Sequence, residues 1–102
     1  MNRKIVHEKY HTGIRLQKRV VGLDNFTYRT TLNLINKYLK KKKRIIDIGS
    51  GVGTIDFYLA KELHSVTGLD ISSKAVNLAQ ENAKLLGFNK NIKLNKIICK
   101  LK

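Results

Sequence analysis

Residues 45–54 read IIDIGSGVGT, and this segment determines the architecture of the chain. Its β-branched run ends at three alternating glycines, a pattern typical of a buried parallel strand that enters a tight turn. From Thr54 to His64 the apolar residues recur at helical spacing, which predicts a helix after the turn. The apolar stripe of that helix comprises Ile55, Tyr58, Leu59 and Leu63.

Further elements are predicted on both sides of this segment. Ser65–Asp70 is a second candidate strand, and residues 91–98 alternate apolar and polar residues as a third strand near a sheet edge would. The intervening helix has Ser72 or Ser73 as its cap, Gly87 just past its end, and the stripe Val76, Ala79, Ala83 and Leu86. Upstream, a helix is predicted from about Phe26 to Lys40, capped by Asp24 or Asn25.

The alternation of strands and helices predicts an α/β fold, a Rossmann-like parallel sheet with flanking helices. Ligands of such sheets bind beyond the carboxyl ends of the strands, where Asp47–Gly53 and Asp70 fall. The glycines permit positive φ and let a ligand approach the backbone. Asp70 lies 21 residues after Gly49, a spacing at which an acid can accept hydrogen bonds from ribose hydroxyls. We therefore expect a ligand that contains a nucleoside.

The glycine loop discriminates between nucleoside cofactors. A dinucleotide fingerprint requires Gly or Ala in its third slot, which Thr54 occupies here. Asp47 would repel a pyrophosphate but could attract the amino group of an amino-acid moiety. A positively charged, phosphate-free cofactor is favoured, and a dinucleotide oxidoreductase is a distant alternative.

Residues 45–54 resemble motif I, D-x-G-x-G-x-G, of class I S-adenosylmethionine-dependent methyltransferases. Val66–Ser72 is similar to their second motif, and Ala75–Ala83 is similar to the helix that follows it. The resemblance covers about residues 32–98. It implies a methyltransferase that uses S-adenosyl-L-methionine.

The resemblance also assigns the cofactor-binding residues. It places the backbone around Gly49, Ser50, Gly51 and Gly53 against the methionine part of the cofactor, with Thr54 directly after them. By the same resemblance Asp47 organises the loop and the cofactor's amino group, Asp70 binds the ribose hydroxyls, and Ile71 lies beside the adenine. The structural alternatives are a turn carboxylate for Asp47 and a cap or solvated strand end for Asp70. No catalytic residue is identified.

The family domain resembles a seven-stranded sheet in the order 3-2-1-4-5-7-6, so we expect this chain to be truncated after its third strand. Strand one would then become an edge with exposed apolar surface. The remainder could be missing from a truncated product, which is the favoured interpretation, or come from a complementing chain or a second copy. We divide the chain into a basic N-terminal arm, residues 1–22, and a partial S-adenosylmethionine-binding domain, residues 23–102.

The chain carries a formal charge of +14, which is concentrated in its flanks. Residues 1–44 carry +11, residues 45–89 carry −2, and residues 90–102 carry +5. Such flanks could bind nucleic acid, but 16 Lys, 11 Ile and 9 Asn also indicate A/T-rich codons. A small-molecule methyl acceptor is slightly favoured over RNA or protein. The alternatives are an RNA-methylating enzyme that uses the basic flanks, and a non-catalytic cofactor-binding or interaction module.

Cysteine content and hydropathy restrict the remaining classes of protein. Cys99 is the single cysteine and cannot form an internal disulfide, while His7 and His11 lack further ligands, so no metal site is expected. The longest stretch without a charged residue, Ile48–Ile55, is far shorter than the roughly 18 residues that a membrane span needs. We expect a cytoplasmic protein.

Overall fold

The computed structural model describes residues 16–88 and 90–98. They form, in chain order, helix α1 (Arg29–Tyr38), strand β1 (Arg44–Ile48), helix α2 (Thr54–Lys61), strand β2 (Ser65–Asp70), helix α3 (Ser73–Leu86) and strand β3 (Ile92–Lys96). The three strands are parallel in the order β1-β2-β3. The predicted Rossmann-like α/β architecture is thereby confirmed, with β2 at the predicted residues.

One face of the sheet carries the core. Val66, Ile92 and Leu94 point from the strands towards the helices, where they pack with Phe57, Leu59 and Ala79. Successive right-handed crossovers in one direction place their helices on one face of a sheet, so α2 and α3 cover the same side. Leu32 of α1 is fully buried in the same cluster, and the rings of Phe57 and Phe88 stack with centroids 6.1 Å apart.

β1 is an edge of the sheet within the described part of the chain, as the sequence predicts. Its outward side chains Ile46 and Ile48 are 68% and 69% exposed. Leu34 and Tyr38 of α1 line an apolar groove with Ile46. Exposed apolar surface on this scale is unusual for a soluble monomer. Coverage of this edge by a complementing chain or a second copy remains a prediction.

The helix ends differ from the predicted ones in two places. α1 begins at Arg29 rather than at Phe26, because residues 26–28 form a turn in which the Asn25 carboxamide oxygen accepts hydrogen bonds from the backbone N–H groups of Thr27 and Tyr28. Asn25 therefore caps the turn that precedes the helix. The predicted extension of α1 to Lys40 was also wrong, since the helix ends at Tyr38.

The prediction that α2 extends to His64 was wrong. The helix ends at Lys61, and Leu63 adopts a left-handed conformation with φ of 70°. Its N–H donates to Ala60 O and the N–H of His64 donates to Leu59 O, the two hydrogen bonds of a Schellman motif. The motif turns the chain into β2 and leaves Leu63 61% exposed rather than in the apolar stripe.

The helix of residues 73–86 has the predicted ends. The Ser72 hydroxyl accepts a hydrogen bond from Ala75 N, and Gly87 follows the helix with φ of 81°. Of the predicted stripe, Val76, Ala79 and Ala83 are buried. Ser72 is thus the cap, and Ser73 is the first helical residue.

Residues 16–22 contain no helix or strand but are fastened to the domain. Gln17 N donates to the Asn82 carboxamide oxygen at 2.6 Å, and the Asn82 carboxamide nitrogen donates back to Gln17 O at 2.9 Å. Val20 and Val21 pack against the core. The division of the chain at residue 22 remains a prediction. His7, His11 and Cys99 lie outside the described residues.

Replacing Leu63 with glycine should stabilise the fold. A side chain in the left-handed region costs about 1–2 kcal/mol, and Leu63 buries too little surface to offset that cost. We expect L63G to raise the free energy of unfolding in urea by about 1 kcal/mol. The control L63A keeps the unfavourable φ and should gain little. Equal stabilities of L63G and L63A would show that Leu63 is not strained.

Candidate functional site

The glycine loop lies at the carboxyl end of β1 and turns the chain into α2. Gly49, Gly51 and Gly53 all have positive φ, at 77°, 59° and 85°. A Cβ added to Gly49 or Gly51 would meet no atom within 4 Å, whereas one added to Gly53 would lie 3.1 Å from the Phe57 ring. The first two glycines thus border open space, and the third permits close packing of the loop on α2.

Five of the eight predicted cofactor-binding residues line one cavity of about 260 Å³. They are Asp47, Gly49, Ser50, Gly51 and Thr54, and the wall also includes Tyr28, Val52 and Ile55. Gly53 is buried beneath the loop, and Ile71 is 64% exposed directly after β2. Tyr28, directly before α1, packs against the core and also borders this cavity.

Asp70 joins the end of β2 to the loop. One carboxylate oxygen accepts a hydrogen bond from Gly51 N at 2.9 Å, and the other accepts one from Ser72 N at 2.8 Å. Gly49 N and Ser50 N both donate to Leu69 O on the same strand. Each carboxylate oxygen has two lone pairs, so Asp70 retains capacity to accept a ligand hydroxyl. Asp70 therefore makes the structural contacts of a capping carboxylate and also keeps free lone pairs for the predicted binding of ribose hydroxyls.

Asp56 is a feature of the site that the sequence analysis missed. It lies on α2, is 0% exposed, and neither carboxylate oxygen has a hydrogen-bond donor among the described residues. Burial and the neighbouring Asp47 raise the pKa of Asp56 from 3.8 to about 9. At neutral pH Asp56 is consequently protonated and can donate a hydrogen bond to the Asp47 carboxyl group.

Gly68 of β2 makes room for this carboxyl group. A Cβ at position 68 would collide with Asp56 and with Leu94, and would lie 3.0 Å from Ser50 of the loop. The position of Asp56 therefore depends on the absence of a side chain at residue 68. Sequence spacing could not reveal this contact, since the two residues belong to different elements.

Stability should fall as the pH rises, because of Asp56. Its pKa is higher in the folded state, so between about pH 4 and pH 9 the folded protein holds a proton that the unfolded chain has lost. The contribution of Asp56 to the free energy of unfolding is greatest below the pKa of the unfolded chain. Above that pKa it decreases by up to about 1.4 kcal/mol per pH unit. We expect D56N to flatten the dependence of unfolding free energy on pH between 5 and 8.

Glu62 provides the matched control, since it is an exposed acid that follows α2. The E62Q variant should keep the wild-type dependence on pH. A D56N variant as pH-dependent as wild type would contradict the protonated state of Asp56.

The described residues contain no group of three or more metal-ligating side chains and no helix long and apolar enough to cross a membrane.

Comparisons with known proteins place this geometry in a family. A methyltransferase-domain family model matches residues 39–97, more than half of the chain. An uncharacterized RNA methyltransferase of Lactococcus lactis, YwfF, is 44% identical over 63 residues, which are 62% of this chain and 12% of that protein. Ribosomal protein L11 methyltransferase of Dictyoglomus thermophilum is 42% identical over 55 residues, 52% of this chain and 18% of that protein.

A solved structure shows the same fold. The SAM-dependent methyltransferase of Aquifex aeolicus aligns with a TM-score of 0.61 and 26% identity, over 74% of this chain and 44% of that chain. The chain thus spans less than a fifth of these two curated relatives and less than half of this solved structure. On the family match and the shared fold, the chain belongs to the methyltransferase-domain family, with the Rossmann-like fold expected of class I S-adenosylmethionine-dependent methyltransferases.

Proposed function

We propose that this chain supplies the cofactor-binding part of an S-adenosylmethionine-dependent methyltransferase. The observation that carries the proposal is the open glycine loop joined to Asp70 by the hydrogen bond from Gly51 N. When bound, S-adenosylmethionine supplies an electrophilic methyl carbon. An electron pair of the acceptor attacks this carbon, the neutral thioether leaves, and the acceptor gives up a proton. The cavity at the loop lies at the carboxyl end of β1, where ligands of parallel sheets bind.

The residues present fit this cofactor. Gly49 and Gly51 leave room for a ligand against the backbone, and Asp47 would hold a cationic amino group. Asp56 next to Asp47 is protonated at neutral pH and adds no negative charge of its own. Asp70 would accept hydrogen bonds from the ribose hydroxyls through the lone pairs that the backbone amides leave free. Exposed Ile71 would contact the adenine. The protein's part in the reaction is to bind and orient, because the methyl group is already activated.

The acceptor that we propose is an RNA. YwfF is named as an RNA methyltransferase, and the chain's charge of +14 suits a polyanion. A protein acceptor is the alternative that the L11 methyltransferase suggests. The small-molecule preference from the sequence finds no support in these relatives.

Gly51→Ala and Gly87→Ala separate cofactor binding from folding. Both glycines have positive φ and open space around a Cβ, so each substitution should cost about 1–2 kcal/mol of stability. Only Gly51 lines the proposed cofactor cavity. We expect S-adenosylhomocysteine to raise the melting midpoint of wild type and G87A, and to shift that of G51A far less.

NAD serves as the control ligand and should shift none of these midpoints. The proposal fails if S-adenosylhomocysteine leaves the wild-type midpoint unchanged, or if NAD raises it instead.

An RNA acceptor predicts a steep dependence of binding on salt. The affinity of a protein that neutralises Z phosphates of a single strand falls with salt concentration, with a log–log slope of about −0.7Z. We expect a mixed-sequence single-stranded RNA of ten nucleotides to bind with a slope of about −2 or steeper, measured by fluorescence anisotropy. Binding that is absent at low salt would exclude the RNA proposal for this part of the enzyme.

A further inference from the structure

A second cavity adjoins the proposed cofactor cavity. It is open to solvent and has a volume of about 830 Å³. Most of the residues between Gln17 and Tyr28 line it, together with Thr54 and Lys61. Thr54 and Tyr28 line both cavities, so the two spaces meet at the start of α2. A ligand in the second cavity would therefore lie next to the glycine loop. The volume of the cavity falls in the usual range for pockets that bind small organic molecules.

The second cavity is positively charged. Lys18, Arg19 and Lys61 line it, against one carboxylate, Asp24. The run Lys40–Arg44 is more basic, yet it leads into β1, whose first residue is Arg44, and so lies at the amino end of the strand, opposite to the glycine loop. A five-residue strand separates its two ends by roughly 15 Å. The second cavity therefore places cations on the side of the molecule that carries the glycine loop, next to Thr54.

Aromatic rings accompany these cations. Phe26 lines the second cavity and is 89% exposed, and Tyr28 lies at the junction of the two cavities. An exposed phenyl ring beside cationic side chains is the combination that binds a nucleobase and its phosphate in single-stranded nucleic acid. An acidic protein segment would use the cations but would gain little from stacking.

The segments that carry these side chains are held in place. Gln17 precedes Lys18 and is fixed by its hydrogen bonds to Asn82 and by one from its carboxamide nitrogen to the Thr54 hydroxyl at 2.6 Å. The loop that presents Phe26 is held by Asn25, and by Arg29, whose guanidinium donates to Leu23 O at 2.9 Å. Both walls therefore stand at fixed positions beside the glycine loop.

The geometry points to this second cavity as the acceptor site, where Phe26 stacks on a base of single-stranded RNA and Lys18 and Arg19 hold its flanking phosphates. The assignment rests on the proposed function and adds the location and chemistry of the acceptor. Tyr28 and Thr54, at the junction, would face the base that receives the methyl group.

Two variants and one charge-matched control test the assignment. The probe is a fluorescein-labelled, single-stranded RNA of five nucleotides. We expect F26A to weaken binding about fivefold or more, the loss of one stacked base. K18A/R19A should weaken it and reduce the magnitude of the salt slope by about 1.4, for two phosphate contacts. K41A/K42A removes the same charge at the amino end of β1 and should leave the affinity for RNA close to that of wild type.

These substitutions should leave the fold unchanged, since all of the replaced side chains are exposed. Each variant should retain the shift in melting midpoint with S-adenosylhomocysteine, which separates loss of acceptor binding from loss of cofactor binding. Equal weakening by K41A/K42A and K18A/R19A, with F26A unchanged, would overturn the assignment in favour of diffuse charge. So would a wild-type chain that shifts with S-adenosylhomocysteine but does not bind the RNA. An absent shift in wild type would instead refute the proposed function, and the acceptor site with it.

Discussion

The hydrogen bond from Gly51 N to the Asp70 carboxylate is the interaction on which the site depends. It ties a turn of three positive-φ glycines to the end of the neighbouring strand, and Gly49 N and Ser50 N add bonds to Leu69 O. Parallel pairing of β1 with β2 brings these groups to the carboxyl end of the sheet, because Ile48 lies opposite Leu69. The sheet register thus places the loop and Asp70 together, and the glycines let a ligand reach the backbone between them.

Below the loop, packing and protonation act together. Asp56 occupies a space that exists because residue 68 is glycine, and its proton lets two carboxyl groups lie close without two negative charges. Helix α2 thereby contributes to the site from its buried side as well as from Thr54 at its start. The same helix ends in a strained turn at Leu63, which is remote from the loop and carries no site residue.

Much of this arrangement could be predicted from the sequence because it is local. The glycine spacing, the strand at 65–70, the cap at Ser72 and the stop at Gly87 each depend on a few adjacent residues. The end of α2 could not, since the left-handed residue there is leucine and not glycine. Asp56 was missed because its environment comes from the two strands β1 and β2. The second cavity was missed because residues 16–22 show little sustained periodicity.

The most direct measurement is a ¹H–¹⁵N NMR titration of the ¹⁵N-labelled chain with S-adenosylhomocysteine. We expect the largest amide shift changes at Gly49–Gly53 and at Asp70–Ile71, with small changes along Lys40–Lys43. Changes that cluster away from the glycine loop, or amides that do not respond at saturating ligand, would contradict the central claim that this loop and Asp70 form the cofactor site.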